Sequence, residues 1–154
     1  MPTRPERRSV DLSGYPGLVV VYLGTRVTRL QGVLSIMGLG QGIAASVASR
    51  PEGLLLHEGL LFGWRHVGMR QYWRNLESLE AFTRSGPHRT WWKDFLRDDR
   101  GTGFWHETYR MSGGMEAIYL GMPSPVGFAR FAPGCHPEGP FMTARDRLLG
   151  QGAG

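Results

Sequence analysis

Residues 18 to 27, LVVVYLGTRV, set three valines in a row before tyrosine and leucine, with a charge only at Arg26. β-branched and aromatic side chains suit a pleated surface, and an apolar run without alternation is what a strand buried on both faces requires. The stretch is read as the central strand of a sheet, and the surrounding elements are placed by their relation to it.

Downstream, apolar residues recur at Leu30, Leu34 and Met37 and again at Ile43 or Ala44, Val47 and Ala48, a helical spacing interrupted by glycines. One broken helix is expected. Pro51 and Gly53 punctuate the chain before a second strand, Leu54 to Trp64, and a third, Val67 to Trp73, with the short Arg65-His66 link closing a hairpin. Asn75 is placed to cap a helix whose inward residues are Leu76, Leu79 and Phe82, and Gly86-Pro87 ends that helix and starts another. In the second helix His88, Trp91, Trp92 and Phe95 fall on one face. Gly103 to Met111, GFWHETYRM, reads as a fourth strand, and Met115 to Leu120 as a short strand-like piece. Strand, helix, strand, strand, helix pair, strand is the split βαβ order of an α+β, ferredoxin-like domain. Such an antiparallel sheet with helices on one side leaves its second face bare, and a twin subunit packed face to face is the expected cover, giving a homodimeric α/β barrel.

A chain of 154 residues supports one such domain. Residues 17–125 are assigned to it, 1–16 to a flexible, polar, proline-bearing arm, and 126–154 to an irregular Gly/Pro-rich tail with a helical turn near Ala144 to Leu149. The net charge of +5 raises nucleic acid as a partner. The densest basic cluster, Arg4, Arg7 and Arg8, lies in the arm, and no basic stripe interleaved with aromatics can be drawn, so that class is set aside. The charge-free run from Leu30 to Ser49 is long enough to span a bilayer but too diluted by Gly, Gln and Ser to read as a membrane helix, and no secretion-signal layout precedes it. Cys135 is the sole cysteine, which excludes an internal disulfide and fits a cytoplasmic protein.

Gly40-Gln-Gly-Ile-Ala-Ala45 matches the loose dinucleotide fingerprint, but it follows helical rather than strand spacing, and close helix packing is the better use of its glycines. None of the five histidines stands in an H-x-x-x-H or E-x-x-H pattern, so no metal site is expected. His57 and His66 read as strand-end or turn residues and His136 as a solvated tail residue. His88, on its aromatic helix face, is either a hydrogen-bonded core residue or an axial haem ligand or pocket base. In the fourth strand Phe104, His106 and Thr108 alternate with Trp105, Glu107 and Tyr109. Depending on which set looks inward, His106 serves as a proton shuttle, or Glu107 with Tyr109 orients a hydroxylated substrate. In the third strand Arg70, Tyr72 and Arg74 oppose Gln71 and Trp73. Gln71, Tyr72, Trp73, Trp91 and Trp105 are the candidate substrate-binding residues, because aromatic walls with few polar groups suit an apolar or aromatic ligand.

Gln71-Tyr-Trp-Arg74, Leu76-Glu-Ser-Leu-Glu-Ala-Phe82, His88-Arg-x-Trp-Trp92 and Trp105-His-Glu-Thr-Tyr109 together resemble a family of small monooxygenase-like proteins. That family includes the polyketide monooxygenase of the fungal fumagillin pathway and is more distantly similar to haem-containing aldoxime dehydratases. The resemblance spans roughly residues 18–125. It implies a dimeric α+β barrel and, by analogy with antibiotic-biosynthesis monooxygenases, oxygenation of an electron-rich, polyketide-type molecule of secondary metabolism without metal or flavin. Its motifs point to Tyr72, Trp73, Arg74, His88, His106, Glu107 and Tyr109. In this reading the aromatic walls bind substrate, His106 moves protons, and Arg74 or Tyr109 stabilises a developing enolate or phenolate. The alternatives are haem b held by His88 or His106, and a non-catalytic dimer that binds a small apolar ligand.

Overall fold

A computed structural model gives the chain over residues 6–111, 115, 119–120, 125 and 127–135, with the backbone alone at residues 39, 92, 119, 120 and 127. The Ala144 to Leu149 turn and His136 lie outside the described residues. The chain divides into two compact units, Gly17–Arg110 and the segments that flank it.

The flanking unit opens with β1 (Arg7–Val10). Tyr119–Leu120 pairs with it antiparallel at Arg7 and Arg8, and Gly134–Cys135 at Ser9 and Val10. Leu12 is fully buried, and the Tyr15 hydroxyl donates to the Phe131 carbonyl at 3.0 Å while their rings meet edge to face. Residues 7–12 are thus an ordered strand and its continuation, not the free arm expected from their polarity. Partners more than a hundred positions away supply the backbone hydrogen bonds that the local composition gave no sign of.

The larger unit runs β2 (Val19–Val27), α1 (Gly32–Ala48), β3 (Leu54–Gly63), β4 (His66–Trp73), α2 (Leu76–Thr83), α3 (Gly86–Arg97) and β5 (Thr102–Arg110). Its sheet has the order β3-β4-β2-β5 with every pairing antiparallel, which is the ferredoxin-like arrangement. β2 is central, as its apolar run requires. Asn75 caps α2, its side-chain oxygen accepting from the Ser78 amide at 2.9 Å. The β3–β4 link is Trp64-Arg65, one residue earlier than expected.

α1 is a single unbroken helix despite its glycines. Leu30, Leu34 and Met37, expected to face inward, are exposed. The expected Ile43, Ala44 and Val47 do face inward, but they are continued toward the N-terminus by Gly40 and Ile36, a continuous i, i+4, i+7 pattern whose second member is glycine and therefore escapes an apolar count. The packed core lies between sheet and helices: Val19, Val21, Trp73 and Leu79, supported by Leu23, Leu54, Leu76 and Phe82.

Two glycines of α1 do opposite things. A Cβ at Gly32 would lie 2.2 Å from the Gly101 carbonyl oxygen, whereas one at Gly38 would meet nothing within 4 Å. Gly32→Ala is expected to destabilise the fold by about 1–3 kcal/mol through overpacking against backbone, and Gly38→Ala to stabilise it by about 0.5–1 kcal/mol through helix propensity. Urea unfolding of the two variants checks both signs.

Candidate active site

Beside the packed core, the layer between sheet and helices opens into a cavity of about 600 Å³. The space exists because the facing residues are small. Gly40 and Ala44 of α1 and Gly59 of β3 line it, and a Cβ at Gly40 or Gly59 would meet nothing within 4 Å. Leu23, Val67, Met69, Phe82, Trp91, Phe95 and Phe104 supply apolar walls, Gln71, His57 and His88 supply an amide and two imidazoles, and Thr25, Ser46 and Thr102 add hydroxyl-bearing side chains. No Lys, Arg, Asp or Glu is among the described lining residues.

His57 reaches the cavity through a register shift in β3. Strict alternation would put Leu54 and His57 on opposite faces. The shift between Leu54 and Leu56 lets Leu54 pair with Trp73 and His57 with Gln71, so both share the helix-facing side. There a chain of hydrogen bonds forms: Trp73 Nε1 donates to Gln71 Oε1 at 3.2 Å, and Gln71 Nε2 lies 3.2 Å from His57 Nδ1. Trp73 is fully buried and Gln71 is 4% exposed, so these groups have no water to fall back on. An indole N–H can only donate. That orients the Gln71 amide with its oxygen toward Trp73 and its N–H toward His57, whose Nδ1 must then accept.

His88 projects from α3 between Phe82 and Trp91, with ring centroids at 4.4 and 5.1 Å. Its Nδ1 is buried without a hydrogen-bond partner among the described residues. Burial lowers the pKa of His88, and of His57 too, where the nearby Glu58 opposes the effect only in part.

Of the residues singled out from the sequence, Gln71, His88 and Trp91 line the cavity. Trp73 lies in the core behind Gln71. His106 pairs with Leu23 and so belongs to the helix-facing side, but it is exposed and outside the lining; partial desolvation lowers its pKa. The expected grouping of Tyr72, Trp105, Glu107 and Tyr109 with these residues does not occur, because the pleat sends them to the opposite face of the sheet. On that face Trp105 Nε1 donates to His66 Nε2 at 2.7 Å, and the Tyr109 hydroxyl donates to Glu107, a bond that raises its pKa. Arg70 joins Glu58 and Tyr22 there. Burial alone would lower the Arg70 pKa, but the hydrogen bonds to Tyr22 and Glu58 outweigh it and keep the guanidinium charged. Arg74 lies past the end of β4 and is exposed, its amide bonded to the Gly53 carbonyl at 2.7 Å. The cavity residues that were not candidates from the sequence include His57, Met69, Phe82, Phe95 and Phe104. Phe82 and Phe95 were legible as inward helix positions, whereas His57 was hidden by the register shift.

The sequence profile of the monooxygenase af470-like family matches residues 18–128. The chain belongs to the monooxygenase af470-like family. Its place there makes it an oxidoreductase-like enzyme. Among solved structures, aldoxime dehydratase OxdRE in complex with butyraldoxime is similar at a TM-score of 0.70 and 18% identity, over 98% of this chain and 45% of that one. A second aldoxime dehydratase matches at 0.70 and 16%, over 98% and 47%. This chain therefore spans less than half the length of either. A protein from Shewanella oneidensis matches at 0.50 and 12%, over 67% of this chain and 93% of that one. At these identities the likeness is one of fold. No curated protein sequence matches significantly. Among the described residues of this family member, no helix is long and apolar enough to cross a membrane, and no cluster of ligating side chains is arranged for a metal ion.

Two predictions arise from the buried polar groups. Gln71→Leu strands the fully buried Trp73 N–H and removes the partner of His57 Nδ1, and urea unfolding should show a loss of about 1–3 kcal/mol from the indole left unpaired. The lowered pKa values of His57 and His88 mean that below their ordinary value of 6.5 the unfolded chain takes up protons that the folded chain refuses. Stability is complete above pH 6.5 and falls as the pH drops through the folded values. Unfolding midpoints between pH 8 and 5 check this, and His57→Gln with His88→Gln should flatten the slope.

Proposed function

We propose that this enzyme oxygenates an uncharged, apolar or aromatic small molecule of polyketide type in the cavity, without a bound cofactor. The observation that carries the reading is the lining: apolar walls, no charged side chain among the described residues, and two imidazoles held neutral. A substrate carrying an acidic CH₂ beside a carbonyl or phenol can supply its own electrons. Loss of one proton gives a carbanion delocalised onto oxygen; a C–O bond forms to O₂; O–O cleavage and loss of the second C–H proton release water and leave a ketone. The balance is R₂CH₂ + O₂ → R₂C=O + H₂O, with no further reductant. His88, kept unprotonated by its aromatic surroundings, is the base of this reading. The proton-shuttle role considered for His106 becomes that of a relay outside the lining.

Haem b fits these residues poorly. An imidazole bound to iron through one nitrogen normally donates from the other to a carbonyl or carboxylate, and the buried Nδ1 of His88 has no such partner. No cationic side chain among the described lining residues answers the haem propionates. The homodimer expected of an open sheet is kept in the proposal, and light scattering should return twice the chain mass of 17.2 kDa.

Oxygen uptake with a panel of enolisable and phenolic polycyclic ketones tests the chemistry. Uptake should occur with the metal-free protein, and His88→Phe should lower kcat by about 10²–10⁴-fold, the usual contribution of a general base. No uptake across the panel, or full turnover in His88→Phe, overturns the proposal. So does a Soret band that forms on haem addition and disappears in the same variant.

A further inference from the structure

The cavity holds two imidazoles, and their surroundings differ in a way that assigns them different work. His88 has no polar partner on its buried nitrogen among the described residues. His57 has one, and that partner is itself fixed from behind: Trp73 can only donate, Gln71 must accept from it with its oxygen, and the Gln71 N–H is left to face His57 Nδ1. A proton on His57 Nδ1 would confront the Gln71 N–H at 3.2 Å, with nothing to accept it. Neutral His57 therefore carries its proton on Nε2, which has no partner among the described residues, while the residue lines the cavity.

We infer that His57 is a fixed hydrogen-bond donor to the substrate, locked in its Nε2–H tautomer by the Trp73–Gln71 chain, and that the cavity selects uncharged molecules bearing a carbonyl oxygen. Since it rests on the reading of this cavity as the active site, the inference deepens that reading by naming the group that meets the substrate oxygen. A neutral imidazole of this tautomer cannot act as a base at Nε2. It donates to the carbonyl and more strongly to the enolate that forms when the neighbouring C–H is lost, so its effect grows as charge develops. Gln71 and Trp73 are positioning residues. The uncharged lining disfavours a carboxylate ligand, which would be desolvated without a cation to meet it.

Two measurements test this. The first needs no ligand: nitrogen NMR of histidine-labelled protein at pH 7.5 should show His57 with Nδ1 unprotonated and Nε2 protonated. In Gln71→Glu the carboxylate still accepts from Trp73 but now also accepts from His57 Nδ1, so the tautomer should reverse and the His57 pKa should rise. A wild-type Nδ1–H tautomer, or no change in Gln71→Glu, overturns the inference. The second compares binding of 2-acetylnaphthalene, naphthalene and 2-naphthoate. The ketone should bind about tenfold more tightly than the hydrocarbon, as one net hydrogen bond provides, and the carboxylate most weakly. In His57→Leu the advantage of the ketone over naphthalene should disappear while naphthalene still binds, which separates a lost hydrogen bond from a damaged cavity, where both would be lost. Naphthalene bound with no ketone preference overturns the His57 role alone. Failure of naphthalene to bind overturns the cavity reading beneath it.

Discussion

Strand β2 carries β4 along one edge and β5 along the other, and neither neighbour is adjacent to it in sequence. Its backbone groups are satisfied only when the chain has returned twice, once from β3 through a hairpin and once through α2 and α3. The crossovers β2–α1–β3 and β4–α2–α3–β5 each join parallel strands with one strand between them, they run in opposite directions, and the right-handedness of such connections puts both sets of helices on the same face. This constraint gathers α1, α2 and α3 into one layer. It also puts Val19 and Val21 where Trp73, Leu79 and Phe82 can pack against them.

That layer is filled at one end and open at the other. Trp73 fills the first end completely, and its N–H, with no water to meet, turns back onto Gln71. At the open end the facing positions are Gly40, Ala44 and Gly59, so no side chain reaches across. The polar chain from Trp73 through Gln71 to His57 runs from the packed end into the open one. A requirement of the core, that a buried indole N–H find an acceptor, thereby sets the donor pattern of the cavity wall.

The opposite face of the sheet has a different character. Arg70, Glu58 and Tyr22 form a hydrogen-bonded network, and Trp105 lies over Gly24, whose Cβ would come within 2.5 Å of the indole nitrogen. Charge is admitted on this side and absent from the described lining on the other. The proposed handling of protons on a neutral carbon acid draws on this asymmetry: a lining without charge among the described residues, and two imidazoles whose burial lowers their pKa values.

Composition and spacing by themselves determined the order of elements along the chain, the reading of LVVVYLGTRV as a strand buried on both faces, the Asn75 cap and the inward positions of α2, because these depend on local periodicity and on capping chemistry within a few residues. They also placed Gln71, His88 and Trp91 as candidate wall residues. The tertiary structure decided the rest. Which set of alternating β5 residues meets the helices depends on pairing with β2, which no single strand encodes. The inward stripe of α1 contains a glycine, so an apolar count passes over it. Strand β1 takes its hydrogen bonds from residues more than a hundred positions away. His57 faces the cavity only because one extra residue in β3 reverses the parity of the strand, and a pleat of period two turns any such slip into a change of face.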